Sequence, residues 1–152
     1  MIIKIKDIFA IILFLVCSFF IKWNLDDFYM STLYTIVGIM FSIALGLLVT
    51  FNLQGITKKS LIVKLRNNIK SVRFSYIKYF SISTFLYILE KLLKDNDKNN
   101  WCIATFKEIR LEINFSVFTM LFMIYSIVYF IINFIAMQNL NDDLYDEINL
   151  KR

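Results

Sequence analysis

The sequence has no histidine and no proline, and only three glycines and two cysteines among its 152 residues. The absence of histidine removes the commonest general base and the commonest metal ligand. Because proline is missing and glycine is rare, few residues that break helices are available, and long helices are expected. The cysteines, Cys17 and Cys102, lie far apart, which excludes a zinc-ligand spacing and a disulfide framework.

Motifs for catalysis are also missing. The sequence contains no glycine-rich phosphate loop, no dinucleotide-binding glycine pattern and no nucleophile elbow. Three acidic residues each have a basic neighbour in the sequence or at helical spacing, which is typical of a solvated helix face: Glu90, Glu108 and Glu112. We therefore expect no enzyme and no cofactor.

Apolar residues are in excess. The chain is 59% hydrophobic, whereas a soluble domain is about half apolar, so the surplus predicts a lipid bilayer as solvent. The net charge of +5 is concentrated beside apolar runs and in one central block, where anionic lipid headgroups are the expected partner. The composition predicts an all-α integral membrane protein.

Three long apolar runs predict transmembrane helices. A membrane region over residues 1–53 holds two of them, at about 8–23 and 28–53, and the last lies at 115–138, before an acidic tail at 139–152. The first run is short, but flanking lysines and a tryptophan extend its reach. It lacks the small-residue cleavage site of a signal peptide, so we expect an uncleaved anchor.

Residues 54–114 are predicted to form a cytoplasmic, basic, amphipathic helical segment. Its first part places Leu61, Leu65, Ile69 and Val72 on one helix face and Lys59, Arg66, Lys70 and Arg73 on the opposite face. This basic face favours binding to anionic lipid or to a cytoplasmic protein partner, and the alternative is a solvated face on a helix packed against its own protein. No aromatic residues interleave the cations, so nucleic acid is not expected as a partner.

The stretch at 74–93 decides between three spans and four. Its second half has an apolar face (Ile82, Phe85, Leu86, Leu89, Leu93) and a polar face (Ser83, Thr84, Tyr87, Glu90, Lys91). This pattern favours an interfacial or partner-packed helix over a fourth span. A further amphipathic helix is predicted at 101–114, leading into the last span.

The distribution of lysine and arginine places the amino terminus and the central segment in the cytoplasm. The chain is expected in a cell membrane, the bacterial inner membrane in particular. The acidic tail lies outside with three spans and inside with four.

The second span contains a ladder of small residues at every fourth position: Gly38, Ser42, Gly46 and Thr50. Small residues let two helix backbones approach closely in a membrane, where apolar surface alone gives little reason to associate. The ladder therefore predicts a helix contact. That contact lies either within one chain or between subunits of a homo-oligomer.

The last span contains a polar seam: Ser116, Thr119, Ser126 and Asn133. Polar side chains at membrane depth are expected to face protein or water. Three arrangements are open: the seam packs on the ladder, pairs with a second copy of itself, or lines a water-filled pore.

Two functions agree with these patterns. The first is a homo-oligomeric membrane effector or pore-type component. In architecture the chain resembles small helical membrane subunits of toxin, holin or phage-defence modules. No residue motif carries that resemblance. The alternative is a non-conducting scaffold or sensor that recruits a cytoplasmic partner or anionic lipid through its basic helix.

Overall fold

The fold was analysed in a computed structural model, which describes residues 5–21, 25–50, 59–95, 100–106 and 109–149. These residues form four helices and one two-stranded sheet: α1 (Ile5–Phe20), α2 (Asp27–Thr50), α3 (Lys59–Asp95), β1 (Asn100–Phe106), β2 (Ile109–Asn114) and α4 (Phe115–Asn149). The predicted helical architecture is thus confirmed over most of the described chain.

Two helices are long and apolar enough to cross a membrane. These are α2, with 24 residues, and the part of α4 from Phe115 to Asp142, with 28 residues. They match the predicted second and last spans. The first predicted span, at about 8–23, overlaps α1, which begins at Ile5 and ends at Phe20, and residues 22–24 lie outside the described part. The 16 residues of α1 reach only about 24 Å at 1.5 Å per residue, against about 30 Å of bilayer core.

The predicted amphipathic helix at 101–114 is wrong. This stretch forms an antiparallel hairpin in which Asn100 pairs with Asn114 and Phe106 with Ile109. The sequence carries the signal for β2, since Ile109, Leu111 and Ile113 alternate with polar residues at the period of two that a strand requires. The all-α prediction therefore holds for the four helices and fails at the hairpin.

The junction between the hairpin and α4 is a helix cap. Asn114 precedes the first residue of α4, and its side-chain Oδ1 accepts a hydrogen bond from the backbone N–H of Val117 at 3.3 Å. Backbone N–H groups in the first turn of a helix have no carbonyl partner within the helix, and a side-chain oxygen at this position accepts a hydrogen bond from one of them. The identity of residue 114 thus explains why the strand stops there and a helix begins.

Helix α3 continues without interruption for 37 residues. It includes both the predicted basic helix and the stretch at 74–93. The sequence pattern predicts these as two separate parts of the segment 54–114. In its first part, Leu65 is buried while Arg66, Lys70 and Arg73 are exposed, in agreement with the predicted faces.

The chain divides into two compact units. Unit 1 comprises Met1–Thr35 and Ile82–Tyr125, and unit 2 comprises Ile36–Ser81 and Ser126–Arg152. In unit 1, α2 packs on α3 through Tyr34, whose ring stacks on Tyr87 with centroids 4.4 Å apart. The Tyr34 and Thr84 hydroxyls lie 3.1 Å apart, within hydrogen-bond distance. In unit 2, the aromatic rings of three helices pack together: Phe41 of α2, Tyr76, Tyr79 and Phe80 of α3, and Tyr129 and Phe130 of α4.

Candidate functional site

Between residues 82 and 93, helix α3 buries polar side chains and exposes several apolar ones. Ser83 and Glu90 are fully buried, whereas Phe85 is 62% exposed and Ile88 is 53% exposed. A helix of a water-soluble protein shows the opposite arrangement. The prediction that Glu90 lies on a solvated face is therefore wrong, because that face is the one that packs against the protein.

The buried carboxyl of Glu90 contacts the polar seam of α4. The hydroxyl of Ser116 donates a hydrogen bond to Glu90 Oε1 at 2.8 Å, and both side chains are completely buried. The other carboxyl oxygen, Oε2, has no hydrogen-bond partner in the described part of the chain. Buried polar atoms are usually hydrogen bonded, so an unpartnered carboxyl oxygen marks a site with capacity for a ligand.

A second buried oxygen without a partner lies on the same face of α4. Thr119 is fully buried, and its Oγ1 makes no hydrogen bond among the described residues. It follows Ser116 by three positions, which places the two side chains next to each other on the helix surface. Ser116 is thus in contact with Glu90, and Thr119 lies one helical turn from Ser116, all within unit 1. We call these three residues the Glu90 cluster.

The rest of the seam is also directed into the protein. Ser126 is fully buried, and Asn133 is half-buried with its side-chain Nδ2 donating to the carbonyl of Tyr129 at 2.8 Å. Within the seam, the side chain of Ser116 contacts Glu90 of α3 and not the ladder of α2. Sequence reasoning found the seam but not Glu90, which was assigned to solvent because Lys91 follows it.

The ladder of small residues lies on the outside of α2. Ser42, Gly46 and Thr50 are exposed and Gly38 is partly exposed. A Cβ atom added at Gly38 or Gly46 would meet no described atom within 4 Å. The residues that α2 buries form a different stripe, about 150° away around the helix axis: Met30, Val37, Ala44 and Leu48. The ladder therefore makes no close intramolecular helix contact in the described part of the chain.

The ladder hydroxyls are bonded within their own helix. Ser42 donates to the carbonyl of Gly38 at 2.9 Å, and Thr50 donates to that of Leu47 at 2.9 Å. These bonds allow a serine or threonine to face lipid or another helix without an unsatisfied donor. The hydroxyl groups of Ser42 and Thr50 therefore leave no unsatisfied donor on the ladder surface.

The basic residues line a groove on α3. Lys70 and Arg73 border it together with Asn67 and Ser71, and its apolar wall is formed by Phe74 and Ile77. Arg66 is exposed beside this groove, and the side chain of Lys59 lies outside the described residues. Cations and apolar side chains thus lie next to each other on one surface.

The ion pairs that the structure describes lie at one end of α2. Asp27 Oδ1 is 2.7 Å from the ammonium of Lys94, and Oδ2 is 3.1 Å from that of Lys91. Lys94 also donates to the carbonyl of Leu25 at 2.9 Å. In the described ranges no three histidine, cysteine, aspartate or glutamate residues come together as a metal site.

Comparisons with known proteins give no relative: no family model, curated protein or solved structure matches the chain.

Proposed function

We propose that the chain is an integral membrane protein without enzymatic activity that self-associates through α2 and acts as a membrane effector or pore-type component. The observation that carries the proposal is the outward-facing ladder of Gly38, Ser42, Gly46 and Thr50 on a helix long and apolar enough to span a bilayer. The partner in this proposal is a second copy of the same chain.

The distribution of polarity supports embedding in a bilayer. On α2 and α4 the exposed side chains include Ile39, Ile43, Ile132 and Ile135, while Ser116, Thr119 and Ser126 are buried. Lipid accepts exposed isoleucine but leaves an exposed hydroxyl without partners unless the helix itself supplies one. The reversed polarity of α3 at 82–93 supports contact of this part with lipid, which favours the four-span alternative.

Four spans place both termini on one side of the membrane. The exposed cations Arg66, Lys70 and Arg73 precede the inserted part of α3, so the tendency of cations to remain in the cytoplasm puts this end of the helix inside. The amino terminus and the acidic tail then also lie in the cytoplasm. A bacterial inner membrane remains the proposed location.

Self-association is supported by the small side chains of the ladder face. Glycine and serine at every fourth position leave room for a second α2 to approach closely, and close backbone contact supplies the packing energy that lipid does not. The seam is buried within each copy, so a permeation path in this proposal lies between copies and is not lined by Ser116, Thr119 and Ser126.

The test is reconstitution of the purified protein in liposomes, followed by chemical cross-linking and by release of an entrapped dye. We expect cross-linked oligomers and dye release from the native chain, and loss of both for the double variant Gly38→Leu with Gly46→Leu. Ile43→Leu, at an exposed position of the same helix, is the matched control and should behave as the native chain. A native chain that gives neither oligomers nor leakage rules the proposal out.

A second candidate function is supported by the groove on α3. In this alternative the protein is a scaffold or sensor that binds anionic lipid or a cytoplasmic partner through Arg66, Lys70, Arg73 and Lys59. The groove combines two cations with the apolar walls of Phe74 and Ile77, which suits a lipid phosphate and the start of an acyl chain. Replacing the four cations by glutamine should abolish retention of anionic lipid without changing insertion, and unchanged retention would contradict this alternative.

A further inference from the structure

The carboxyl of Glu90 is a buried ionisable group for which self-association through α2 provides no role. Its side chain is 0% exposed, and it accepts one hydrogen bond, from Ser116. An ionised carboxylate accepts about four hydrogen bonds when fully satisfied. Removal of such a group from water is strongly unfavourable unless a positive charge or a proton compensates it.

The lysines nearest to Glu90 in the sequence are already engaged elsewhere. Lys91 directs its ammonium to Asp27 Oδ2 at 3.1 Å, although it is the next residue of the chain. Lys94 binds Asp27 Oδ1 and the carbonyl of Leu25. In the described part of the chain, Lys91 and Lys94 therefore form ion pairs with Asp27 and not with the Glu90 carboxyl.

The oxygen atoms around Glu90 are suited to a small hard cation. Oε2 of Glu90 and Oγ1 of Thr119 are both buried and both without a partner in the described part of the chain. Ser116 adds a hydroxyl one helical turn from Thr119, and all of these groups ligate through oxygen. One carboxylate supplies a single negative charge, so a divalent ion would leave a buried positive charge uncompensated.

We propose that the Glu90 cluster binds one sodium ion in the interior of the protein. The carboxylate of Glu90 holds the ion, together with the Ser116 and Thr119 hydroxyls. The site lies in unit 1, whereas the ladder lies in unit 2, so this proposal stands whether or not the protein self-associates.

Other carboxyl groups of unit 1 provide controls. The ion pairs of Asp27 with Lys91 and Lys94 join α2 and α3, and Asp7 of α1 accepts a hydrogen bond from Tyr125 of α4. Variants Asp27→Asn and Asp7→Asn therefore serve as carboxylate controls, because they remove a charge elsewhere in unit 1.

The experiment measures the thermal unfolding temperature of the full chain in detergent, with sodium chloride or choline chloride at equal ionic strength and fixed pH. We expect sodium to raise the Tm of the native chain by roughly 5 °C when it is present at about a hundred times its dissociation constant. Glu90→Gln should show no sodium response.

Two further variants keep the test decisive if Glu90→Gln does not fold. Ser116→Ala and Thr119→Val retain the carboxyl and should reduce the sodium response, whereas Asp27→Asn and Asp7→Asn should keep it. A native chain whose Tm shows no sodium response overturns the proposal, and so does a sodium response that Ser116→Ala and Thr119→Val leave unchanged.

Discussion

The ring of Phe41 on α2 lies flat against the ring of Phe80 on α3, with centroids 4.2 Å apart and planes 4° apart. Phe41 also contacts Phe130 of α4 at a centroid distance of 6.2 Å, so one side chain joins three helices within unit 2. Contacts of this kind do not depend on water, and they hold helices together inside a bilayer as well.

Replacement of Phe41 by alanine should therefore lower the free energy of unfolding by about 2–4 kcal/mol, near the lower end for a truncated phenylalanine because the side chain is only partly buried. Unfolding in mixed detergent micelles measures the loss. Phe85→Ala is the matched control, since Phe85 is 62% exposed and should cost much less. Equal losses for the two variants would contradict the assigned packing.

The open surface at Gly38 predicts that a substitution there stabilises the chain. Because an added Cβ atom meets no described atom within 4 Å, Gly38→Ala should stabilise a single chain by up to about 1 kcal/mol through higher helix propensity. Ala44→Leu, on the buried stripe of the same helix, should instead destabilise it by about 1–3 kcal/mol through overpacking. Thermal unfolding at low protein concentration distinguishes the two, and destabilisation by Gly38→Ala would show that the surface is not open.

The two lysines that bind Asp27 should differ in their contribution. Lys94 contacts both the carboxylate and the carbonyl of Leu25, whereas Lys91 makes the longer contact to the carboxylate and lies over the Tyr87 ring, 5.9 Å from its centroid. These side chains are about one third exposed and Asp27 is 58% exposed, so each ion pair contributes little. We expect a loss of about 1 kcal/mol for Lys94→Met and about 0.5 kcal/mol for Lys91→Met.

A double-mutant cycle with Asp27→Asn isolates these ion pairs. The coupling energy should decrease as salt is added, because exposed charges are screened over a Debye length of about 10 Å at 0.1 M. A coupling energy that does not change with salt would mean that the pairs are shielded from solvent, contrary to their exposure.

The hydroxyl of Tyr125 offers a test of the contact between α1 and α4. It donates to Asp7 Oδ1 at 3.0 Å, and its ring packs edge-on against Phe14. Tyr125→Phe keeps the ring and removes the donor to a carboxylate that is only 6% exposed, so it should cost about 1–3 kcal/mol. Tyr29→Phe, at a residue that is 61% exposed, should leave the unfolding free energy nearly unchanged. Similar losses for both tyrosines would count against the hydrogen bond.

The apolar helices α2 and α4 could be predicted from the sequence, because a long run of apolar residues without charge has few structural alternatives to a helix that can cross a membrane. The hairpin at 100–114 was missed for a physical reason: Lys107, Glu108, Arg110 and Glu112 also fit the polar face of a helix. The short apolar alternation of β2 carries the correct signal, but it spans only six residues. Helix and strand periods are difficult to distinguish over so short a stretch.

The orientation of α3 could not be obtained from its two faces alone. An amphipathic pattern shows which residues share a side, but the solvent decides which side is buried. In water the leucine face would turn inward, whereas Ser83 and Glu90 are the buried residues in the structure. The hydrogen-bond partner of Glu90, Ser116, lies on α4, 26 residues away in the sequence, and no local pattern identifies such a pair.

Helix α4 runs without a break from Phe115 to Asn149. Its 35 residues measure about 52 Å, which exceeds the thickness of a bilayer core by roughly 20 Å. The acidic residues after Asp142 therefore continue the same helix that contains the apolar segment Phe115–Asp142. A bilayer would cover only part of the length of this helix, and its last turns would extend into water.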